Sequence, residues 1–131
     1  MFPLKVLNSL RDGQDIVAEV ASTLPSHRAY VYVTPQVDPE LATWDKRSHR
    51  WLRVYVEEGI LTGYKVNYLE IETKQINSYF DGYDTDIEPT TNERFYATCE
   101  QELAVLVSQW ANDLSIFRNA ESAGIPLLFN L

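Results

Sequence analysis

Residues 28–34, Arg28-Ala29-Tyr30-Val31-Tyr32-Val33-Thr34, set β-branched and aromatic side chains side by side along most of the run. A strand turns successive side chains to opposite faces, so a stretch apolar on both faces predicts an inner strand, with Pro35 expected to end it. That strand commits the chain to a sheet, and the remaining segments are read as what pairs with it and what covers it.

Two further strands are expected. In residues 50–57, Leu52, Val54 and Val56 alternate with Arg53, Tyr55 and Glu57, the pattern of a half-buried strand. Residues 63–73 carry Tyr64, Val66 and Tyr68 on one face. The apolar set then moves to Leu69 and Ile71, which predicts a bulge near Asn67–Leu69. Glu58-Gly59 marks a turn, and the short connections suggest an antiparallel meander. Residues 35–45 read as a loop, with room for a turn of helix around 39–44.

Helices are expected at both ends. Ile16, Val17, Val20 and Leu24 share a face at helical spacing in residues 14–24, which Pro25 closes. Residues 5–10 would form an earlier helical turn or a short strand, broken off at Asp12-Gly13. After an ordered polar loop at 76–91, Phe95, Cys99, Leu103, Leu106, Trp110, Leu114 and Phe117 recur every three or four residues. This stripe predicts a long amphipathic helix of about 45 Å, stopped by Gly124. The tail from Ile125 to Leu131 could add an edge strand.

The expected fold is α+β: a two-layer sandwich of a mainly antiparallel three- to four-stranded sheet, a short N-terminal helix and one long C-terminal amphipathic helix. The 131 residues suit a single domain spanning 1–131.

Charge narrows the partners. The net charge is −8, which disfavours nucleic acid and anionic membranes. Residues 1–74 hold nine Lys/Arg against ten Asp/Glu, whereas residues 75–131 hold two against nine. No apolar run reaches the roughly 18 residues of a membrane span. The N-terminus lacks the features of a secretory signal, so a cytoplasmic location is the default expectation.

Motifs for catalysis are sparse. Ser26-His27 and Ser48-His49 lack a nucleophile elbow, and both histidines read as surface or interface groups. Cys99, the single cysteine, falls on the helical stripe and is expected to be buried and inert. Two histidines and one cysteine do not make a zinc site, and no glycine pattern cradles phosphate, so neither metal nor cofactor is expected. Asp84, Asp86 and Glu88 alternate like calcium ligands, but Pro89 and Phe95 occupy positions where an EF-hand needs Gly and Glu. Glu57/Glu58 and Glu70/Glu72 read as strand-end and outward-face charges.

Two clusters stand out. Trp44, Lys46, Arg47, Arg50 and Arg53, interleaved with His49 and Trp51, combine cations with aromatics, the ingredients of a secondary basic patch. Its bland counterpart is a hairpin flank paired with neighbouring acids. Tyr79, Phe80, Asp81, Tyr83, Asp84, Asp86 and Glu88 combine aromatics with carboxylates, the ingredients for binding a basic protein partner. The bland counterpart is a solvated acidic loop preceding a helix N-terminus, where negative charge is favourable.

The leading expectation is therefore a non-enzymatic binding protein using this acidic, tyrosine-rich surface. One version is an inhibitor or immunity protein of a toxic nuclease. A second reading is a small-molecule-binding or enzyme domain with an aromatic pocket lined by Tyr30, Tyr32, Tyr55, Tyr64, Tyr68 and Trp110. A third is a structural subunit that forms a homodimer through the long helix.

Overall fold

A computed structural model describes residues 1–48, 50–52, 59–82 and 87–121; of Arg50 it describes the backbone only. The chain runs α1 (Leu4–Arg11), β1 (Ile16–Val20), β2 (His27–Val37), β3 (Thr43–Asp45), β4 (Arg50–Leu52) and β5 (Leu61–Glu72). It continues through α2 (Thr73–Phe80), β6 (Thr91–Ala97), α3 (Glu100–Val107), a 3₁₀ turn at Leu114–Ile116 and β7 (Arg118–Asn119). Five strands form one sheet in the order β6-β5-β2-β1-β7, and β3 pairs with β4 in a separate hairpin. Every pairing described is antiparallel. No helix among the described residues is long and apolar enough to cross a membrane.

The central ladder is β2 against β5, running from His27↔Glu72 to Val37↔Leu61. The expected inner strand is thus present and longer than expected. Pro35 does not end it; the strand continues through Pro35, opposite Tyr64. The last β1 pair is Ile16↔Val33, so Pro35 lies where β2 has lost one of its two partner strands and a missing N–H does less damage. The irregularity in β5 is also elsewhere: register runs unbroken across Asn67–Leu69 and shifts between Gln36 and Val37 instead.

No bulge is needed because both faces of the sheet are covered. On one face, Ile16, Ala18, Ala29, Val31, Val33, Tyr64, Val66 and Tyr68 pack with Val6 and Leu10 of α1, Leu103 and Val107 of α3, and the 111–117 segment. On the other, Val17, Tyr30, Tyr32, Leu69 and Ile71 pack with Ile76 of α2 and Ala120. The two-layer expectation is corrected accordingly. Elements lie on both sides of a five-stranded sheet, and the apparent change of phase at Leu69 is one strand burying both its faces.

The same fact explains the error at 14–24. When both parities of a strand are buried, apolar residues no longer alternate, and Ile16, Val17 and Val20 mimic a helical stripe. Their β-branching favours the strand they adopt. The N-terminal helix is α1, where Val6 and Leu10 stand one turn apart and face the core. It ends at Asp12-Gly13, with Gly13 at φ 75°.

The long C-terminal helix is also absent. Residues 91–97 form β6, where Phe95 pairs with Val66. Cys99 is exposed and caps α3, its Sγ accepting from the Glu102 N–H, while the Thr98 hydroxyl donates to the Glu102 carboxylate. That local capping breaks the stripe. Phe95, Leu103, Leu106, Trp110, Leu114 and Phe117 nevertheless all pack on the first core cluster, carried there by a strand, a helix and a turn. Gly124 and the 125–131 tail lie outside the described residues.

Gly63 marks a close approach. A Cβ there would stand 2.7 Å from the Ala97 carbonyl oxygen, so the end of β6 lies against β5 only because no side chain intervenes.

Candidate functional site

The described part of the acidic, aromatic cluster starts on α2: Tyr79 and Phe80 lie in the helix and Asp81 caps it. Ile76 anchors the helix in the second core cluster, and Tyr79 packs against it, half-buried. Phe80, the last helical residue, is 60% exposed and meets Tyr79 edge-on at 5.6 Å between ring centroids. Asp81 caps the helix, its N–H donating to the Asn77 carbonyl, and Gly82 turns the chain away at φ 86°. On the return, Ile87 packs on the second cluster, and the Glu88 N–H donates to Gln75 Oε1 at 3.0 Å. Tyr79, Phe80, Asp81 and Glu88 are thereby gathered around one short helix. Tyr83, Asp84 and Asp86, together with the calcium-like alternation they complete, lie outside the described residues.

The electrostatics differ from expectation. The acids were expected to lead into a helix N-terminus. Asp81 instead stands at the C-terminus of α2, the negative end of the helix dipole, and Glu88 leads towards a strand. The last turn of α2 has no basic residue, and no Lys or Arg occurs from 75 to 93. The Asp81 carboxylate therefore stands where the backbone disfavours negative charge.

The basic patch sits on the β3–β4 hairpin. Trp44 and Trp51 are ladder partners with rings edge-on at 5.2 Å, and Trp44 is 46% exposed. Asp45 organises the turn, accepting from the Arg47 N–H and the Ser48 hydroxyl. Lys46 and Arg47 are exposed, and among the described residues neither forms an ion pair. His49 and Arg53 lie outside those residues, as does the Arg50 side chain.

One polar group was misread from the sequence. Glu70 faces inward and is 2% exposed, whereas Glu72 is exposed. Glu70 Oε2 accepts from the Ser22 hydroxyl, the Thr23 N–H and the Thr23 hydroxyl, each at 2.8 Å. Burial is the largest single influence and pushes its acidity down. The bonds from Thr23 and Ser22, with the Thr91 hydroxyl, together outweigh it and lower the pKa from 4.5 to about 2. A carboxylate so saturated stays ionised, and holds the β1–β2 connection to the sheet instead of moving protons.

His27 opens β2, with Nδ1 2.8 Å from the Pro25 carbonyl and Nε2 2.8 Å from the Thr90 hydroxyl. A carbonyl only accepts, so Nδ1 carries a proton towards Pro25, while Nε2 shares a hydrogen bond with the Thr90 hydroxyl. Both ring nitrogens are thus engaged in tying strand ends together.

Among the described residues the expected aromatic pocket does not assemble. Tyr30 and Tyr32 belong to one face of the sheet and Tyr64 and Tyr68 to the other. Trp110 stacks in parallel on Tyr68 at 5.2 Å, closing that side into core, and Tyr55 lies outside the described residues. Among the described residues no group of three or more His, Cys, Asp or Glu is placed to hold a metal ion. Comparison of the chain with protein-family models, curated proteins and solved structures gave no match.

Proposed function

We propose that the chain is a non-enzymatic binding protein that engages a basic protein partner through the surface around the end of α2. The observation that carries this reading is the Asp81 carboxylate at the negative end of α2, beside an exposed Phe80, in a stretch without cations. Charge held against the helix dipole is relieved when a cationic surface docks on it. Phe80 and Tyr79 supply contact area, and the helix holds both aromatics on the folded core. An inhibitor or immunity protein that covers the cationic cleft of a nuclease is one concrete form of this role.

The test is affinity capture from the native lysate at low and raised salt, run beside an Asp81→Asn, Asp84→Asn, Asp86→Asn variant. A basic protein held at low salt, weakened by salt and lost from the variant supports the reading. Equal retention by both proteins overturns it.

A further inference from the structure

Away from the acidic surface, the second face of the sheet carries a buried polar group that is only half satisfied. Asn67 is 0% exposed in a strand whose same-face neighbours Leu69 and Ile71 are core. Its Nδ2 donates to Asn92 Oδ1 on β6 at 3.0 Å, but its Oδ1 is buried without a hydrogen-bond partner. Native proteins rarely leave such an atom unpaired, because it has given up its bonds to water and gained none in return. Exchanging oxygen and nitrogen in both amides keeps their mutual bond and turns the amide nitrogen, in place of the oxygen, to the position that has no partner.

Register places other polar groups around that arm. Asn67 lies directly between Tyr32 on β2 and Arg94 on β6, and the next row on that face holds Thr34 and Lys65. Asn92 is diagonal to Asn67 on the Leu69 side, so one arm of the amide is spent towards Leu69's end of β6 and the other is left to the remaining neighbours of Asn67. Tyr32 is already committed, its hydroxyl donating to Asp15 Oδ2 at 2.9 Å, and Lys65 attracts the Asp15 carboxylate. Arg94 is exposed and forms no ion pair among the described residues. It is also one of only two cations in residues 75–131.

We propose that this row binds a small hydroxy acid, with its carboxylate on Arg94 and its hydroxyl on the free arm of the Asn67 amide. Directly paired residues hold their Cβ atoms about 5 Å apart, the scale on which one small molecule touches both. A hydroxyl both donates and accepts, so it satisfies whichever amide atom faces it. A guanidinium takes a carboxylate by paired, charge-assisted bonds. The approach is from the β6 margin, where Arg94 is exposed, and the side chains that close over the buried Asn67 amide must move aside to admit the hydroxyl.

The test uses two probes of nearly equal shape, lactate and propionate, which differ by the hydroxyl. Each is titrated into isotopically labelled protein while the Asn67 side-chain amide and the backbone amides of residues 65–67 and 94–96 are followed by NMR. Saturable shifts with lactate are expected, with propionate about tenfold weaker, the worth of one hydrogen bond. Arg94→Gln should weaken both probes, and Asn67→Leu should erase the difference between them. Should Asn67→Leu not fold, the wild type and the exposed Arg94→Gln variant still decide. Absence of a saturable shift with lactate, equal affinity for the two probes, or indifference to Arg94→Gln each overturns the proposal.

Discussion

Glu70 and Asp15 both carry a carboxyl covered by the sheet, at opposite ends and on opposite faces, and their acidities move in opposite directions. Burial pushes both pKa values up. At Glu70 the donors from Ser22, Thr23 and Thr91 overcome burial and hold the group at about 2. At Asp15 burial prevails, although Tyr32, Lys65 and Thr34 each oppose it, and the pKa stays above its ordinary 3.8. The difference lies in the donor set. Glu70 receives a backbone N–H and several hydroxyls from a connection that wraps around it, while Asp15 receives chiefly one phenol. Depth of burial alone therefore does not tell whether a carboxyl is locked in its charged form; the count and geometry of its donors do.

Removing the charge at the saturated site is the strongest way to break that contrast. Glu70→Gln puts an amide donor among donors and should cost about 2–3 kcal/mol in urea unfolding. A cost under about 0.5 kcal/mol would show that the three 2.8 Å contacts carry no net stability. The acid limb should change with it. Glu70 has a folded pKa near 2 against 4.5 unfolded, so its contribution is complete above pH 4.5 and is lost as pH falls towards 2. The wild type should lose stability across that window, and Glu70→Gln should lose less. Parallel curves would place the acid sensitivity elsewhere.

That contrast was only partly legible in the sequence, and the reason is physical. Residues 28–34 and 63–73 announced strands because β-branched and aromatic side chains fill both their faces. The same two-sided burial erased the period at 14–20, where Ile16, Val17 and Val20 read as a helix. Glu70 shares parity with Tyr64, Val66 and Tyr68, so plain alternation would have turned it inward; the bulge inferred at Asn67–Leu69 turned it outward instead. The stripe from Phe95 to Phe117 correctly marked residues that meet the core, yet hid the Thr98–Glu102 cap that divides them between elements. The acidic surface was visible as composition. Its helix was not, because Thr73–Phe80 has no side-chain cap and only Ile76 fully buried. Nothing local could mark Asn67, whose partner Asn92 is 25 positions away.

A milder change sharpens the comparison by making Glu70 resemble Asp15. Thr23→Ala removes one hydroxyl and leaves the Thr23 N–H in place, at a cost of about 1 kcal/mol. With a donor gone and burial unchanged, the Glu70 pKa should climb from about 2 towards 4.5, observed by NMR titration of its side-chain carbonyl. A pKa that does not move would mean that the remaining donors already saturate the carboxylate.

The smallest effect is expected at Asp15, and there its sign matters more than its size. A folded pKa above 3.8 means that the folded state holds its proton more tightly than the unfolded chain. Ionisation therefore removes stability as pH rises from about 4 through the folded value. Asparagine cannot ionise, and its side-chain oxygen can still accept from the Tyr32 hydroxyl. Asp15→Asn should cost less than about 1 kcal/mol at pH 3, and at pH 7 it should match or exceed the wild type in urea unfolding. The slope with pH thus opposes that of Glu70, although both groups are carboxyls under the same sheet. If the wild type instead gains on the variant as pH rises, Asp15 is held by its donors as Glu70 is. Burial would then have lost at both ends of the sheet, and the attraction of Lys65 would be the first place to look for the extra stabilisation.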